Sequence, residues 1–168
     1  MKVSLQQLRS MDIWKEAQQP EYCYHYSTKE NIKKILQDGK VKQFDDYMTY
    51  FFYKLEYIPI YFDLTGAYHG RRAWNTDGTK IITYPPIIPK DYAVLKLYPA
   101  RKEPLAWYEE RSRITAKNDT QRELLTLFDS LRICHYGDLS FKRDPEIIEL
   151  SDVVEKYPYT RPEHLIAK

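Results

Sequence analysis

Glycine is scarce in this chain, with 5 residues in 168, and no group of them has the spacing that surrounds a bound phosphate. Dinucleotide-binding and nucleoside-triphosphate loops need closely spaced glycines, because backbone N–H groups must approach the phosphates there. The sequence therefore lacks the Gly-rich signature of both the doubly wound dinucleotide-binding fold and the P-loop fold.

Cysteine is also rare. Cys23 and Cys134 are the two present, each within an apolar or aromatic run, and neither has a second cysteine or a histidine at zinc-finger spacing. We therefore predict two reduced, buried thiols and no metal site. The histidines have no helical or finger spacing to one another; they are His25, His69, His135 and His164.

Long apolar runs and a strong net charge are missing as well. No run approaches the ~20 apolar residues that cross a bilayer, and the N-terminus lacks the apolar core of a signal peptide. The 26 basic and 24 acidic residues leave a net charge of +2, so contact with a polyanion would need a local basic patch. We expect a soluble, cytoplasmic protein whose residues 1–168 form a single domain.

Tyrosine, in contrast, is abundant, with 16 residues. It combines a large apolar ring with a polar hydroxyl group, so it suits the edge of a core, the wall of a cleft or a stacking surface. Abundance alone does not choose among these uses.

The first 40 residues alternate between helix and strand signals. Ser4 and Gln7 form a capping box that predicts a helix over 4–17, and the aromatic run 21–26 predicts a strand. Ser27, with Glu30 three residues later, predicts the start of a second helix. Its end is predicted at Gly39, which suits the left-handed position after a helix, so the second helix is expected over 27–39.

The middle of the chain is less regular. The run 41–56 fits either a buried helix or a pair of strands, and we favour a helix over 45–55. Residues 57–63 predict a strand with Pro59 near its entry. Residues 64–78 predict a loop that ends in an Asp77-Gly78 turn.

Further elements follow in the second half. Strands are predicted over 80–84 and 91–98, and a short strand or turn over 103–114. Thr120 and Glu123 form a capping box for a helix over 120–133. The segment 139–152 predicts a last core strand or a short helix. Together these elements predict an α+β domain with an antiparallel or mixed split sheet and flanking helices, because Pro-punctuated strands favour antiparallel pairing.

Three segments together resemble the ADP-ribosyltransferase superfamily, and within it the DarT-type DNA-modifying toxins. They are the strand end His25-Tyr26-Ser27-Thr28, the helix Asn31 to Gly39, and the run Tyr57-Ile58-Pro59-Ile60-Tyr61-Phe62. The resemblance covers roughly the first half of the chain. It implies an ADP-ribosyltransferase-like fold and a reaction in which the nicotinamide–ribose bond of NAD is broken and a nucleophile takes the ribose.

The resemblance also implies roles for individual residues. His25 would bind a ribose hydroxyl, with Ser27 beside it, and Tyr61 or its neighbour Phe62 would supply an aromatic ring for the nicotinamide. Arg71 and Arg72 lie soon after that segment, where the family often places an arginine on the NAD phosphates or the acceptor. We assign Arg71 to catalysis and Arg72 to cofactor binding.

The catalytic carboxylate is expected late in the chain. Glu146 precedes an apolar run, as the catalytic glutamate does in the family. Glu149 and Glu123 are the alternatives, although Glu123 already has a structural explanation in its capping box. A carboxylate in this position would stabilise the positive charge on the ribose and take a proton from the attacking group.

The acceptor of the ADP-ribosyl group is not identified by the sequence. A single-stranded nucleic acid is compatible with the tyrosines and with Arg111 and Arg113, and a protein acceptor is the alternative. Two other functions remain open. One is a non-catalytic binding or inhibitor module with a Tyr-rich surface. The other is NAD-dependent removal of a 2′-phosphate from RNA, which uses arginines and the histidine rather than a glutamate.

Overall fold

The computed structural model describes residues 3–43, 47–75, 78–100 and 106–166. Its helices and strands alternate along the chain. In chain order they are α1 (Leu5–Arg9), β1 (Trp14–Glu16), β2 (Cys23–Thr28), α2 (Lys29–Asp38), β3 (Lys40–Val41), β4 (Met48–Phe52), α3 (Tyr57–Thr65), β5 (Arg71–Trp74), β6 (Ile81–Tyr84), β7 (Tyr92–Leu97), β8 (Trp107–Glu110), α4 (Asp119–Leu131), β9 (Arg132–Tyr136), β10 (Leu139–Ser140), β11 (Glu146–Glu149) and α5 (Leu150–Lys156).

The main sheet has seven strands in the order β1-β8-β9-β4-β2-β7-β11, and its paired strands are antiparallel. Two small antiparallel pairs, β3 with β10 and β5 with β6, lie outside it. The predicted α+β class with a mostly antiparallel split sheet is confirmed. The ADP-ribosyltransferase-like relationship stays a proposal.

The sheet is split between β2 and β4. Strand β2 pairs with β7 along all six of its residues, whereas it pairs with β4 at one position, Tyr24 opposite Phe52. Beyond that position the two strands diverge. The residues that follow Tyr24 therefore border a gap in the middle of the sheet rather than a neighbouring strand.

Side chains of β2 alternate between the two faces of the sheet. On one face, Cys23 packs with Ile32 and Ile35 of α2. On the other, Tyr24 packs with Ile58 and Phe62 of α3. We call these the α2 face and the α3 face. By the same alternation His25 belongs to the α2 face and Tyr26 to the α3 face.

The N-terminal helix is shorter than predicted. The capping box of Ser4 and Gln7 is present, but α1 ends at Arg9 instead of continuing to residue 17. Residues 14–16 form an edge strand because they pair with β8. Tertiary pairing has overridden the helical spacing of the apolar residues in this stretch.

Helix α2 begins one residue later than predicted. The capping residue is Thr28, whose hydroxyl oxygen accepts from the Asn31 backbone N–H at 3.2 Å. Ser27 instead belongs to β2, and its Oγ accepts from the Asn31 side-chain amide at 2.8 Å. The predicted end is confirmed, because Gly39 follows the helix with a φ of +70°.

The segments around residue 55 have the opposite structures to those predicted. Residues 48–52, within the predicted helix 45–55, form β4 and pair with β9 at all five positions. Residues 57–65 form helix α3 where a strand was predicted. Pro59 is tolerated there because the backbone N–H groups of the first helical turn have no partner within the helix. Residues 45 and 46 lie outside the described residues.

The predicted loop 64–78 is wrong in part, because residues 71–74 form β5 and pair with β6. The strands predicted over 80–84 and 91–98 are confirmed as β6 and β7. Asp77 of the predicted turn lies outside the described residues. So does the start, 103–105, of the segment in which β8 is found.

In the second half, the predicted helix 120–133 is confirmed as α4, but its capping residue is Asn118, which accepts from the Gln121 backbone N–H. Thr120 does not cap it. Residues 139–152 contain both of the structures that the sequence left open, since β11 leads directly into α5.

Both cysteines are buried and unpaired, as predicted. Among the described residues no helix has the length and apolar character needed to cross a membrane.

Candidate functional site

A cavity of about 580 Å³ occupies the gap between β2 and β4. Residues of both faces line it, for example His25 and Thr49 from the α2 face and Tyr26 and Tyr61 from the α3 face. The volume lies within the range of about 300–1,000 Å³ that is usual for small-molecule sites. The split in the sheet therefore produces a ligand-sized space that passes between its two faces.

His25 is held in one orientation at this gap. Its Nδ1 lies 3.1 Å from the backbone carbonyl oxygen of Tyr50, and its ring packs against Phe51 with centroids 5.5 Å apart. A carbonyl oxygen can only accept, so Nδ1 carries the hydrogen and donates it. Burial lowers the pKa of the imidazole, and the bond to Tyr50 opposes this shift. The neutral ring therefore keeps a lone pair on Nε2, which can accept from a ligand hydroxyl group.

Arg71, like His25, is held in one position in the wall of the cavity. Its Nη2 donates to the Tyr61 hydroxyl at 2.9 Å, and its guanidinium lies over the Tyr84 ring, 4.3 Å from the centroid. Among the described residues no carboxylate lies within 4.0 Å of this guanidinium. An arginine that lines a cavity with aromatic partners and without a counter-ion is well suited to bind an anionic oxygen atom.

Arg132 lies beside Arg71 but has a carboxylate partner. Its Nη2 is 2.9 Å from Oε1 of Glu110, and the two side chains are 13% and 18% exposed. Its guanidinium also lies 4.6 Å from the ring centroids of both Tyr50 and Tyr61. Burial works to lower the pKa of Arg132, but the oxygens of Tyr61 and Glu110 raise it above its ordinary value, so the group is a permanent cation.

A second cavity, of about 740 Å³, adjoins the first. It lies between the N-terminal segment and the β5–β6 hairpin, with Trp14, Trp74 and Phe128 among its walls. Glu110 lines this second cavity. The two cavities share five lining residues, which are Tyr50, Tyr61, Arg71, Tyr84 and Arg132. We call these five residues the shared wall.

The lining of the first cavity contains more basic than acidic side chains. Among its lining residues the basic side chains are Arg71, Arg132, Lys34, Lys40 and Lys42, and the acidic one is Asp38. The three lysines come from α2, β3 and the residue after β3, so they lie on the α2 face, whereas the arginines lie on the α3 face. Three of these cations have carboxylate partners, which are Glu110 for Arg132, Asp138 at 3.7 Å for Lys40 and Asp38 at 3.4 Å for Lys42. Arg71 and Lys34 have none among the described residues, and these two charges favour an anionic ligand, because field lines concentrate in a low-dielectric cleft.

Four of the six predicted site residues meet in the first cavity. His25, Ser27, Tyr61 and Arg71 all line it. Tyr61 is only 4% exposed, and its ring stacks on Phe128. Its contribution to the cavity wall is therefore the hydroxyl group that binds Arg71, rather than a face of the ring. The structure thus brings together residues that are up to 46 positions apart in the chain.

Arg72 does not join this group. In β5 the side chains alternate, so Arg71 is half-buried and directed at the cavity, whereas Arg72 is exposed and lines neither cavity. The register with β6 pairs Arg72 with Thr83, which is exposed although it contributes to the lining of the first cavity. The two adjacent arginines therefore have opposite surroundings, which the sequence alone did not separate.

The predicted glutamates lie away from both cavities. Glu146 is on the edge strand β11, where its Oε2 accepts from the Tyr98 hydroxyl at 2.8 Å and lies 3.9 Å from Lys96 Nζ. Its side chain is on the α3 face, opposite to that of His25. Glu149 shares the face of His25 but pairs with Lys29 at 2.8 Å. The third candidate, Glu123, is exposed and contacts His164, which lies near the C-terminus.

Sequence reasoning missed Glu110 and Arg132. Glu110 follows Glu109 in a short strand, and Arg132 is the first residue after a helix. Neither belongs to a recognisable motif. Their partnership comes from the pairing of β8 with β9, which places them side by side on the α3 face. A cross-strand charge pair of this kind is visible in a sequence only when the strand register is known.

Comparisons with known proteins add no assignment. Neither a scan against protein-family models nor searches of curated proteins and solved structures returned a match.

Proposed function

We propose that this protein is an NAD-dependent ADP-ribosyltransferase that modifies a macromolecule. The observation that carries the proposal is the cavity in the split of the sheet, in which a neutral His25 offers Nε2 as an acceptor and Arg71 has no carboxylate partner among the described residues. An NAD molecule has the matching groups, which are a ribose hydroxyl and a negatively charged diphosphate. The resemblance of the first half of the chain to the superfamily supports the same ligand.

The charges of the cavity suggest how NAD would lie. His25 Nε2 accepts from a hydroxyl of the nicotinamide-side ribose. Arg71 binds the phosphate next to that ribose, and the adenosine half extends towards the lysines on the α2 face. Tyr50 and Tyr84 are half-buried and line the cavity, and each has an arginine against its ring, whereas the Tyr61 ring is only 4% exposed.

Glu110 takes the role of the carboxylate in this proposal, because it is the glutamate that the structure brings next to the shared wall. The bond between the nicotinamide nitrogen and ribose C1′ breaks, and nicotinamide leaves as a neutral molecule with the electron pair of that bond. The acceptor nucleophile forms a bond to C1′ and gives its proton to the carboxylate. The positive charge that develops on the ribose is stabilised by the same carboxylate.

The two adjacent arginines provide a matched test by titration calorimetry with NAD. Replacing Arg71 by Gln removes a charge-assisted contact and should weaken NAD binding by about 10-fold or more. Replacing Arg72 by Gln removes the same charge one residue away, outside the cavity, and should change the affinity by less than about twofold.

Release of nicotinamide measures the reaction itself. The native protein should consume NAD in the presence of a cell extract that supplies acceptors, and His25→Ala should not. A native protein that neither binds NAD nor releases nicotinamide, but retains one stoichiometric protein partner, would instead support the non-catalytic binding module.

A further inference from the structure

Arg132 contacts Tyr50 and Tyr61, the two residues that bind His25 and Arg71 in the cavity wall. Its guanidinium lies 4.6 Å from the Tyr50 ring, and the Tyr50 carbonyl oxygen accepts from His25 Nδ1. It lies equally far from the Tyr61 ring, and the Tyr61 hydroxyl accepts from Arg71. One buried cation therefore connects the imidazole of His25 on the α2 face with the guanidinium of Arg71 on the α3 face.

The position of Arg132 is itself strongly determined. Glu110 binds its Nη2 at 2.9 Å, and the Phe128 ring lies 5.0 Å from the guanidinium carbon. Phe128 is four residues earlier and belongs to the last turn of α4, so the helix presents it directly to Arg132. A planar guanidinium can contact three rings and a carboxylate at once, which a lysine ammonium group cannot do.

Arg132 has little capacity left for a ligand. Its side chain is 13% exposed, and it donates to Glu110 and, at 3.4 Å, to the Tyr61 hydroxyl. Arg71, in contrast, has no carboxylate among the described residues. The two arginines of the shared wall therefore have different roles, one towards the ligand and one towards the protein.

We propose that Arg132 is a positioning residue, which sets the tautomer of His25 through Tyr50 and the place of Arg71 through Tyr61. This inference deepens the proposed function and rests on it where NAD binding is concerned. Its effect on His25 does not depend on any ligand. Replacing Arg132 by Lys keeps the charge and the pairing with Glu110 but removes the planar contact with both tyrosine rings.

The test compares Arg132→Lys with a control at Arg161. Arg161 also pairs with a carboxylate, Asp63 at 2.9 Å, but it lines neither cavity. Nitrogen-15 NMR spectra of the imidazoles report which ring nitrogen of His25 carries the hydrogen. The native protein and Arg161→Lys should show the Nδ1–H tautomer alone, and Arg132→Lys should show a mixture of both tautomers.

The second measurement is the affinity for NAD, determined by titration calorimetry. Arg132→Lys should weaken NAD binding by about 10-fold, and Arg161→Lys by less than about twofold. Thermal unfolding checks that both variants are folded. An unchanged His25 tautomer in folded Arg132→Lys would overturn the positioning role. Failure of the native protein to bind NAD would instead overturn the proposed function, and the NMR comparison would still decide the role of Arg132.

If Arg132→Lys does not fold, Glu110→Gln replaces it in the same NMR comparison, because it removes the charge that fixes the guanidinium. A His25 tautomer that stays single in this variant would overturn the proposal. A mixture would support it.

Discussion

The backbone carbonyl oxygen of Tyr50 accepts a hydrogen bond from Nδ1 of His25 at 3.1 Å. The bond crosses the gap between β2 and β4, where the two strands no longer pair with each other. It determines that Nε2, and not Nδ1, is the free nitrogen in the cavity. The chemistry of the site therefore depends on a backbone contact between two diverging strands.

A first prediction concerns the pH dependence of stability. Burial lowers the pKa of His25 in the folded protein, so below about pH 6.5, the ordinary value for histidine, the unfolded chain binds a proton that the folded protein does not. The free energy of unfolding should therefore fall as the pH decreases below about 6.5. Replacing His25 by Gln should remove this part of the decrease.

Urea unfolding at several pH values between 5 and 8, in buffers of equal ionic strength, measures the effect. His164→Gln is the control, because that histidine is exposed and pairs with Glu123 at the surface. Equal pH dependence in the native protein and in His25→Gln would contradict the buried, neutral state of His25.

A second prediction distinguishes the carboxylates. Replacing Glu110 by Gln should lower kcat/KM for nicotinamide release by about 100-fold or more, because the group that accepts the proton is lost. Replacing Glu146 or Glu149 by Gln should change it by less than about twofold, since both are exposed and paired outside the cavities.

Nicotinamide release by the three purified variants is measured with an extract as the source of acceptors, and their kcat/KM values are compared with that of the native protein. A large loss in Glu146→Gln alone would return the catalytic role to the residue that the sequence favoured. Activity that survives all three substitutions would favour NAD-dependent removal of a 2′-phosphate from RNA, which needs no glutamate.

A third prediction concerns the base of the β5–β6 hairpin. Gly70 precedes Arg71 with a φ of +83°, and a Cβ atom added there would lie 3.2 Å from Pro86 Cδ and 3.3 Å from the Tyr84 carbonyl oxygen. Gly39 also has a positive φ, but a Cβ atom there would meet nothing within 4 Å. Gly70→Ala should therefore destabilise the protein more than Gly39→Ala, by at least about 1 kcal/mol.

Urea unfolding of the two variants measures this difference. NAD affinity gives a second comparison, because a shift of the hairpin would displace Arg71 from the Tyr61 hydroxyl. We expect weaker NAD binding in Gly70→Ala and native binding in Gly39→Ala. Equal stability of the two variants would show that the hairpin base can move without cost.

The sequence by itself determined several local features. A left-handed residue was needed where α2 ends, and Gly39 supplies it; the apolar spacing of residues 120–131 was sufficient to predict α4. The α+β class followed from the alternation of such elements. His25 could be singled out because it was the one residue of its strand without a structural explanation.

The tertiary structure decided everything that depends on strand register and on which face a side chain occupies. The segments 48–52 and 57–65 consist mostly of apolar and aromatic residues, so the spacing of these residues did not distinguish a strand from a helix, and pairing with β9 made 48–52 a strand. Arg71 and Arg72 differ in role because successive strand residues point to opposite faces. Glu110 reaches Arg132 because β8 and β9 are neighbours, and a contact between residues 22 positions apart is set by packing rather than by local sequence.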